Sequence, residues 1–255
     1  MRNLENKLVS VLVYFTDVSQ IQELDYSLLT LIGQWHRPLE FRVLCVDLSD
    51  EERYSVEKLL ANYQNMDEIS VAISDVTLAG ASLSDIFNSE LGKLKGRYVG
   101  FLRAQDYLYP NAYQHLLEKL EEENAQIAFG SIRLSNAKKQ ETHFYYIDSK
   151  SKEAYSARDI KTILDQPFYP IHSMFIDRSD ILLGELFFSV NSENFSIQSL
   201  NPRLFTKYKV SFLNPSKIIG ETVFFSESDG DKAGANSQNT SFWRRVCRGI
   251  WPGKS

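Results

Sequence analysis

The chain has 255 residues, of which 43% are hydrophobic, enough for one large domain with a sizeable core. Its formal net charge of −5 argues against a general nucleic-acid binder, because such proteins present a basic surface to phosphates. Cys45 lies in an apolar segment and Cys247 in a basic one, which favours a reducing compartment over a disulfide-stabilised fold. The N-terminal residues show no signal-peptide pattern and no apolar run reaches membrane-spanning length, so we expect a cytoplasmic protein.

The first half of the chain alternates between patterns typical of buried strands and of helices. Nearly continuous apolar runs predict strands at 8–15, 41–46, 69–73, 98–102 and 127–132. Apolar residues at helical spacing predict helices at 21–35, 56–63, 83–94 and 113–123. This alternation predicts an α/β fold with a mostly parallel central sheet flanked by helices.

The second half has a less regular pattern. Short apolar segments predict strands at 144–147, 174–176 and 208–213, which suits a smaller mixed C-terminal lobe. Residues 226–241 contain no large apolar side chain and are predicted to form a flexible linker. We therefore divide the chain into a domain at 1–225, a linker at 226–241 and a tail at 242–255.

Polar side chains follow three of the predicted strands. Thr16 and Asp17 follow the first strand, Asp47 follows the second, and the loop 103–106 follows the fourth. Ligands of parallel α/β sheets bind beyond the carboxyl ends of the strands, where these polar groups would converge. The sequence therefore predicts a binding crevice at this edge of the sheet.

Residues Lys95–Pro110 carry a recognisable arrangement: a turn, a short buried strand, a polar loop, and a proline suited to a helix start. This arrangement resembles the centre of the family-2 glycosyltransferases, where a similar strand leads into an Asp-x-Asp-Asp loop and a Tyr/Trp-x-x-Pro helix start. The resemblance covers roughly residues 8–220. It implies a GT-A fold and the transfer of a sugar from a nucleotide donor, a UDP-sugar above all, to a glycan or lipid-linked acceptor.

The metal-binding pair of the family is substituted in this chain. The family's Asp-x-Asp positions read Arg103-Ala104-Gln105, and only the following Asp106 keeps a carboxylate. Because a divalent ion bound to a diphosphate needs several anionic oxygen ligands, we predict that the metal site is lost and that no cofactor is bound. Two interpretations of Arg103 remain open: it clamps phosphate oxygens in place of the metal, or it pairs with a nearby acid such as Asp106.

The nucleotide side of the predicted site rests on further positions that match the family. Thr16 and Asp17 replace the end of its Pro-Val-Tyr-Asn strand, and Asp47 matches an acidic residue that binds uracil or ribose. Asp47 also suits a turn or a helix cap. Phe87 and Asn88 align with an Arg-Asn pair whose arginine holds the diphosphate, so the resemblance implies substrate binding for Asn88. On structural grounds alone, Phe87 is a core residue and Asn88 a surface helix residue.

The catalytic base of the family is the Asp of a Glu-Asp pair in the second lobe. Its best match is Glu193-Asn194, where an amide replaces the base and Glu193 is the candidate substitute. The resemblance therefore leaves two main alternatives: a metal-independent glycosyltransferase, or an inactive relative that binds a partner glycosyltransferase or a glycan. An unrelated α/β binding protein is a third. Histidines show no metal-ligand spacing, although His172 is placed to line an acceptor cleft or to be buried.

The tail has an amphipathic pattern. On a helical wheel, one half carries apolar side chains and the other carries arginines. The residues predicted to bind a membrane surface are Phe242, Trp243, Arg244, Arg245, Arg248 and Trp251. Such a pattern is typical of an interfacial helix, which would place the protein at the cytoplasmic face of the inner membrane. The alternative is a helix that packs on the protein's own body with its arginines facing water.

Overall fold

The computed structural model of the protein describes residues 5–15, 21–77, 81–139, 145–182, 184–189 and 195–226. The strands are β1 (Glu5–Phe15), β2 (Leu39–Val46), β3 (Ile69–Val76), β4 (Gly96–Arg103), β5 (Tyr107–Leu108), β6 (Ile127–Phe129), β7 (Ser131–Lys139), β8 (Tyr145–Tyr155), β9 (Met174–Asp177), β10 (Val210–Phe212) and β11 (Ile218–Ser226). The helices are α1 (Ile21–Ile32), α2 (Asp50–Ala61), α3 (Leu83–Lys93), α4 (Ala112–Glu123), α5 (Ile160–Leu164) and α6 (Leu204–Lys207). Short 3₁₀ turns occupy Ile171–Ser173 and Ile197–Ser199.

A seven-stranded sheet with the order β10-β6-β9-β4-β1-β2-β3 forms the centre of the fold. Strands β3, β2, β1 and β4 are mutually parallel, and β9 runs antiparallel to both β4 and β6. Strand β1 is covered on both faces, which explains why it reads as a continuous apolar run rather than an alternating one. The predicted α/β fold with a mostly parallel central sheet is confirmed.

The core consists of two layers, one on each face of the central sheet. Val11 and Val13 of β1 pack into the layer that contains α1, α2 and α4. Leu12, between them, points to the opposite layer, which contains α3 and most of the C-terminal lobe. This alternation follows from the two-residue period of a strand and accounts for side chains that are fully buried on both faces.

The prediction of one strand across 127–132 was wrong, because the chain changes sheets at Gly130. Strand β6 ends at Phe129 in the central sheet, and β7 starts at Ser131 in a second sheet with the order β5-β11-β7-β8. A Cβ at Gly130 would lie 2.7 Å from the side chain of Ile219, so any larger residue at this crossing would force Ile219 to shift. The second sheet accounts for the mixed C-terminal lobe.

Two strands of the second sheet differ from the sequence prediction: β8 is longer than predicted, and β11 was not predicted at all. Strand β8 runs on from the predicted 144–147 to Tyr155 through polar residues, which lack the apolar pattern of a buried strand. Strand β11 was not predicted, and it includes Ser226, the first residue assigned to the linker. Helix α1 ends at Ile32, next to Gly33, which the sequence placed near the end of this helix. The rest of the predicted linker and the tail lie outside the described residues.

Candidate functional site

The carboxyl ends of the parallel strands meet at one edge of the central sheet. Phe15 of β1 is in register with Cys45 of β2, and Tyr14 is in register with Arg103 of β4. The segments that follow β2 and β4 therefore begin at the same edge of the sheet, on either side of β1. Thr16 and Asp17, which follow β1, lie outside the described residues, so their assignment to the site stays a prediction.

The loop after β4 is fixed to α1 by one buried side chain. The Gln105 N–H donates to the Ser27 hydroxyl at 2.9 Å, and that hydroxyl donates to the backbone carbonyl of Asp106 at 2.9 Å. Gln105 adopts a positive φ of 88°. Its side-chain amide donates to the carbonyl of Val223 at 3.0 Å, so the loop is tied to β11 as well. Gln105 thus acts through its backbone and amide as a loop anchor.

The Asp106 carboxylate, 2% exposed, is satisfied entirely by protein donors. Arg103 donates to it in bidentate fashion from Nε at 3.1 Å and Nη2 at 2.9 Å. The Thr222 hydroxyl donates at 3.0 Å and the Val223 N–H at 3.1 Å. Burial alone raises the pKa of Asp106, but Arg103 and His172 outweigh it and lower the pKa to about 2. Asp106 is therefore ionised throughout the physiological range.

The guanidinium of Arg103 is enclosed by several partners. Besides Asp106, its Nη2 donates to the Thr222 hydroxyl at 3.2 Å, and its Cζ lies 5.9 Å from the ring centroid of Phe168. Of the two interpretations of Arg103, pairing with Asp106 is the arrangement in the structure. The side chain is 13% exposed, and turning it toward a phosphate would leave a buried carboxylate without its cation.

His172 extends this cluster from the C-terminal lobe. It lies in the 3₁₀ turn Ile171–Ser173, is fully buried, and places Nδ1 3.4 Å from Asp106 Oδ2. The sequence left His172 between a cleft and a buried position, and the structure shows burial. Thr222 carried no sequence signal because β11 was not predicted. Arg103, Asp106, His172 and Thr222 together form what we call the Asp106 cluster.

The residues that match the family's metal-binding positions are bound to other protein groups in the structure. Both carboxylate oxygens of Asp106 accept hydrogen bonds from protein groups, and the Arg103 guanidinium stands beside them. The Gln105 amide donates to a backbone carbonyl. A hard cation needs several free anionic oxygens, and a fixed guanidinium repels it. Within the described part of the chain, no group of three or more His, Cys, Asp or Glu residues is placed to hold a metal ion.

Asp47 lies at the carboxyl end of β2 with an exposed side chain. Its φ is 54°, and its N–H donates to the carbonyl of Val76 at 3.0 Å. Ser49, rather than Asp47, caps α2: its hydroxyl accepts the N–H of Glu52, and the Glu52 side chain accepts the N–H of Ser49. Asp47 is thus an exposed turn residue at the carboxyl end of β2, and its contact with a nucleoside stays a prediction.

Phe87 and Asn88 of α3 both have structural partners. Phe87 is 1% exposed, and its ring centroid lies 4.9 Å from those of Tyr14, Phe188 and Phe195. Asn88 is half-buried rather than a free surface residue. Its amide donates to the Phe188 carbonyl at 3.0 Å, and its oxygen accepts the Phe188 N–H at 2.7 Å. Phe87 is therefore a core residue, and Asn88 is tied to the backbone at Phe188.

Glu193 and Asn194 lie outside the described residues, so the assignment of the base stays a prediction. The residues that flank them are well fixed. Before them, the Ser84 hydroxyl of α3 donates to the Ser189 carbonyl at 2.6 Å. After them, Phe195 stacks on Phe188 with ring centroids 5.5 Å apart. Both flanks therefore contact α3 or its aromatic cluster, next to the carboxyl end of β1.

Similar folds occur among solved glycosyltransferase structures. The crystal structure of S. aureus TarS has a TM-score of 0.60 and 14% identity, over 85% of this chain and 36% of that chain. TarS 1–349 in complex with UDP-GlcNAc has a TM-score of 0.54 and 16% identity, over 97% of this chain and 67% of that chain. The mannosyltransferase PcManGT from Pyrobaculum calidifontis, in complex with GDP-Man and Mn²⁺, has a TM-score of 0.56 and 14% identity, over 97% of this chain and 65% of that chain.

These similarities concern the fold. No protein-family model and no curated protein sequence matches the chain. The chain spans about a third of the full TarS structure and about two thirds of the shorter structures. Two of these structures contain nucleotide sugars, UDP-GlcNAc in one and GDP-Man in the other. The chain therefore has the GT-A-like fold of nucleotide-sugar-dependent glycosyltransferases.

Proposed function

We propose that the chain is a family-2-like glycosyltransferase domain that handles a nucleotide-sugar donor without a divalent metal. The observation that carries this proposal is the state of Asp106, the one carboxylate left at the family's metal positions. It is buried and bound by Arg103, Thr222 and Val223. The free energy of that arrangement would be lost if Asp106 turned to a metal ion, because Arg103 would then be a buried charge without a partner.

The nucleoside end of the donor would bind at the edge where Asp47 stands. Asp47 is exposed, and a carboxylate accepts hydrogen bonds of the kind that ribose hydroxyls or a uracil N–H donate. Support for a nucleotide sugar comes from the fold, since the neighbours were solved with UDP, UDP-GlcNAc or GDP-Man. A UDP-sugar is the donor that the resemblance around Lys95–Pro110 favours.

We further propose that the acceptor is a glycan or a lipid-linked glycan of cell-surface polysaccharide or glycolipid assembly, reached from the cytoplasmic side of the membrane. The tail pattern of residues 242–251, with aromatic residues opposite arginines, supports a contact with anionic lipid. The tail lies outside the described residues. Among the helices that the structure describes, none is long and apolar enough to span a bilayer.

Calorimetric titration of metal-free protein with UDP, GDP, dTDP and their sugars tests donor binding. We expect heat from one nucleotide series and a weaker affinity in Asp47→Ala. A matched control is Asp67→Ala. Asp67 is also exposed, but it precedes β3 and therefore lies at the amino ends of the strands, away from their carboxyl ends. Absence of heat with every nucleotide, or an equal loss in both variants, would contradict the nucleotide site.

A second candidate is a catalytically inactive relative that binds a partner glycosyltransferase or a glycan. Two observations favour it: the aromatic cluster around Phe87 replaces a diphosphate-binding arginine, and Arg103 is committed to Asp106. The diphosphate would then lack the arginine that the resemblance implies, and Arg103 would not replace the metal ion. Donor hydrolysis and transfer, followed by phosphorus NMR, separate the candidates. Donor turnover by the wild type that is slower in Glu193→Gln supports the enzyme. If neither protein turns over the donor, the result supports the inactive relative.

A further inference from the structure

An apolar groove of about 510 Å³ lies away from the Asp106 cluster, between α1 and the second sheet. Its walls come from one face of α1, from the β5 segment and from β8. The lining residues outside α1 are Tyr107, Leu108, Pro110 and Ile147. The Leu108 N–H donates to the Thr30 hydroxyl at 3.3 Å, so α1 and β5 are joined at the groove. The groove is thus a built feature of the fold.

Helix α1 is apolar on two sides. Its buried side packs against the central sheet through Leu24, Leu28 and Leu31. The groove side carries Tyr26, Leu29, Thr30 and Gly33, spaced as one helical stripe. Tyr26 is 40% exposed and Leu29 48%, and both are among the few large apolar side chains that the described residues expose. Such a stripe beside a groove is the geometry that accepts an amphipathic helix.

We propose that this groove binds the chain's own C-terminal segment, residues 242–251, when no bilayer is present. The apolar residues of that segment recur at helical spacing, so they would form one face opposite the arginines. Those apolar residues are Phe242, Trp243, Val246, Cys247, Ile250 and Trp251. Laid against the stripe of α1, this face would cover the exposed parts of Tyr26 and Leu29.

The position where the described chain ends puts the segment within reach. Phe225 in β11 is in register with Ala137 in β7, and Ala137 is in register with Ile147, which lines the groove. Two strand spacings amount to about 10 Å. The connecting residues 227–241 are rich in Gly, Ser and Asn, and a coil of that length has a root-mean-square span of roughly 20 Å. A tether whose span exceeds this distance lets the segment reach the groove and keeps its effective concentration there high.

Charge favours the same occupant. The segment and the residues after it carry Arg244, Arg245, Arg248 and Lys254 without an acidic residue, whereas the whole chain has a net charge of −5. The negative excess therefore belongs to the rest of the chain, which would attract the segment at moderate ionic strength. The arginines would remain in water while the aromatic face is buried.

Hydrogen–deuterium exchange of the full chain in lipid-free buffer tests this inference. We expect protection of amides in 242–251 that decreases about tenfold in Leu29→Lys, which removes apolar contact and adds repulsion to the arginines. Leu182→Lys is the matched control, because Leu182 is 58% exposed and does not line the groove. Both positions are exposed, so neither substitution removes a core side chain.

Each outcome decides the proposal. Protection lost in Leu29→Lys and kept in Leu182→Lys, at all protein concentrations, supports docking within one chain. Protection that is absent from the wild type, or equal in both variants, overturns it. Protection that rises with protein concentration together with dimer formation in sedimentation would assign the groove to a second copy. Protection that appears only with anionic vesicles would assign the segment to the bilayer alone.

Discussion

Removal of Arg103 is the perturbation whose effect the structure defines best. In Arg103→Ala the Asp106 carboxylate stays buried, keeping Thr222 and Val223 as donors but losing its bidentate cation. Breaking a buried pair from one side typically costs about 3–5 kcal/mol. For a domain of this size that corresponds to a decrease in Tm of roughly 6–20 °C. Urea denaturation followed by circular dichroism gives the free energy of unfolding directly.

A surface arginine provides the control for this measurement. Arg53 is 45% exposed and contacts Glu57 at 3.2 Å and Asp75 at 2.9 Å, so Arg53→Ala also removes ion pairs. Because exposed pairs contribute little, we expect a change of less than about 1 kcal/mol. The double variant Arg103→Met/Asp106→Leu should be less destabilised than Arg103→Ala, since it leaves no charge unpaired. Equal, small losses in Arg103→Ala and Arg53→Ala would refute the reasoning.

The pH dependence of stability tests the same pair from the acid side. The pKa of Asp106 is lowered from 3.8 to about 2 in the folded protein, because the effect of Arg103 and His172 exceeds that of burial. A lowered pKa stabilises the fold above the unfolded value and loses that contribution as pH falls toward 2. The difference corresponds to about 2 kcal/mol. The urea concentration at the unfolding midpoint of the wild type should therefore decrease as the pH is lowered from 4 to 2. The part of this decrease that is due to Asp106 should be absent from Asp106→Asn.

Three further predictions concern the rest of the molecule. Asn88→Ala should lower the free energy of unfolding by about 1–3 kcal/mol, because it leaves the buried N–H and carbonyl of Phe188 without partners. Urea denaturation measures this change, and a loss below about 0.5 kcal/mol would contradict the prediction. Glu193→Gln should reduce any transfer rate by a factor of about 10²–10⁴ if Glu193 is the base, measured by product chromatography, and an unchanged rate would reject that role. The full chain should co-sediment with anionic liposomes at low salt, whereas a chain that ends at Ser241 should remain in the supernatant. Equal sedimentation of the two chains would contradict membrane binding by the tail.

The central sheet could be predicted because its signal is local. Strand β1 is buried on both faces, so its sequence is apolar without interruption, and the helices around it show their own spacing. The second sheet could not be predicted in the same way. Strand β8 passes through polar residues, and the apolar pattern of β11 is interrupted by Gly220, Glu221 and Thr222, so neither has the uninterrupted apolar run of β1. The change of sheet at Gly130 depends on contact with Ile219, which is distant in sequence.

The same distinction applies to the candidate site. Arg103 and Asp106 lie three residues apart, and their pairing was one of the two alternatives that the sequence left open. Thr222 is 116 residues away from Asp106 and could not be foreseen, because its partner is defined only by the pairing of β11 with its neighbours. Asn88 was placed correctly on a helix, but its hydrogen bonds to Phe188 depend on how the C-terminal lobe packs against α3.

The central claim is that this chain, which has a glycosyltransferase fold, handles its donor without a divalent metal, as proposed above. Calorimetric titration with the nucleotide sugar that binds, in EDTA and again in Mn²⁺, tests this claim most directly. Because Asp106 has no free oxygen for a metal ion, the account predicts the same dissociation constant in both titrations. A tenfold or larger gain in affinity with Mn²⁺ that Asp106→Ala abolishes would contradict it.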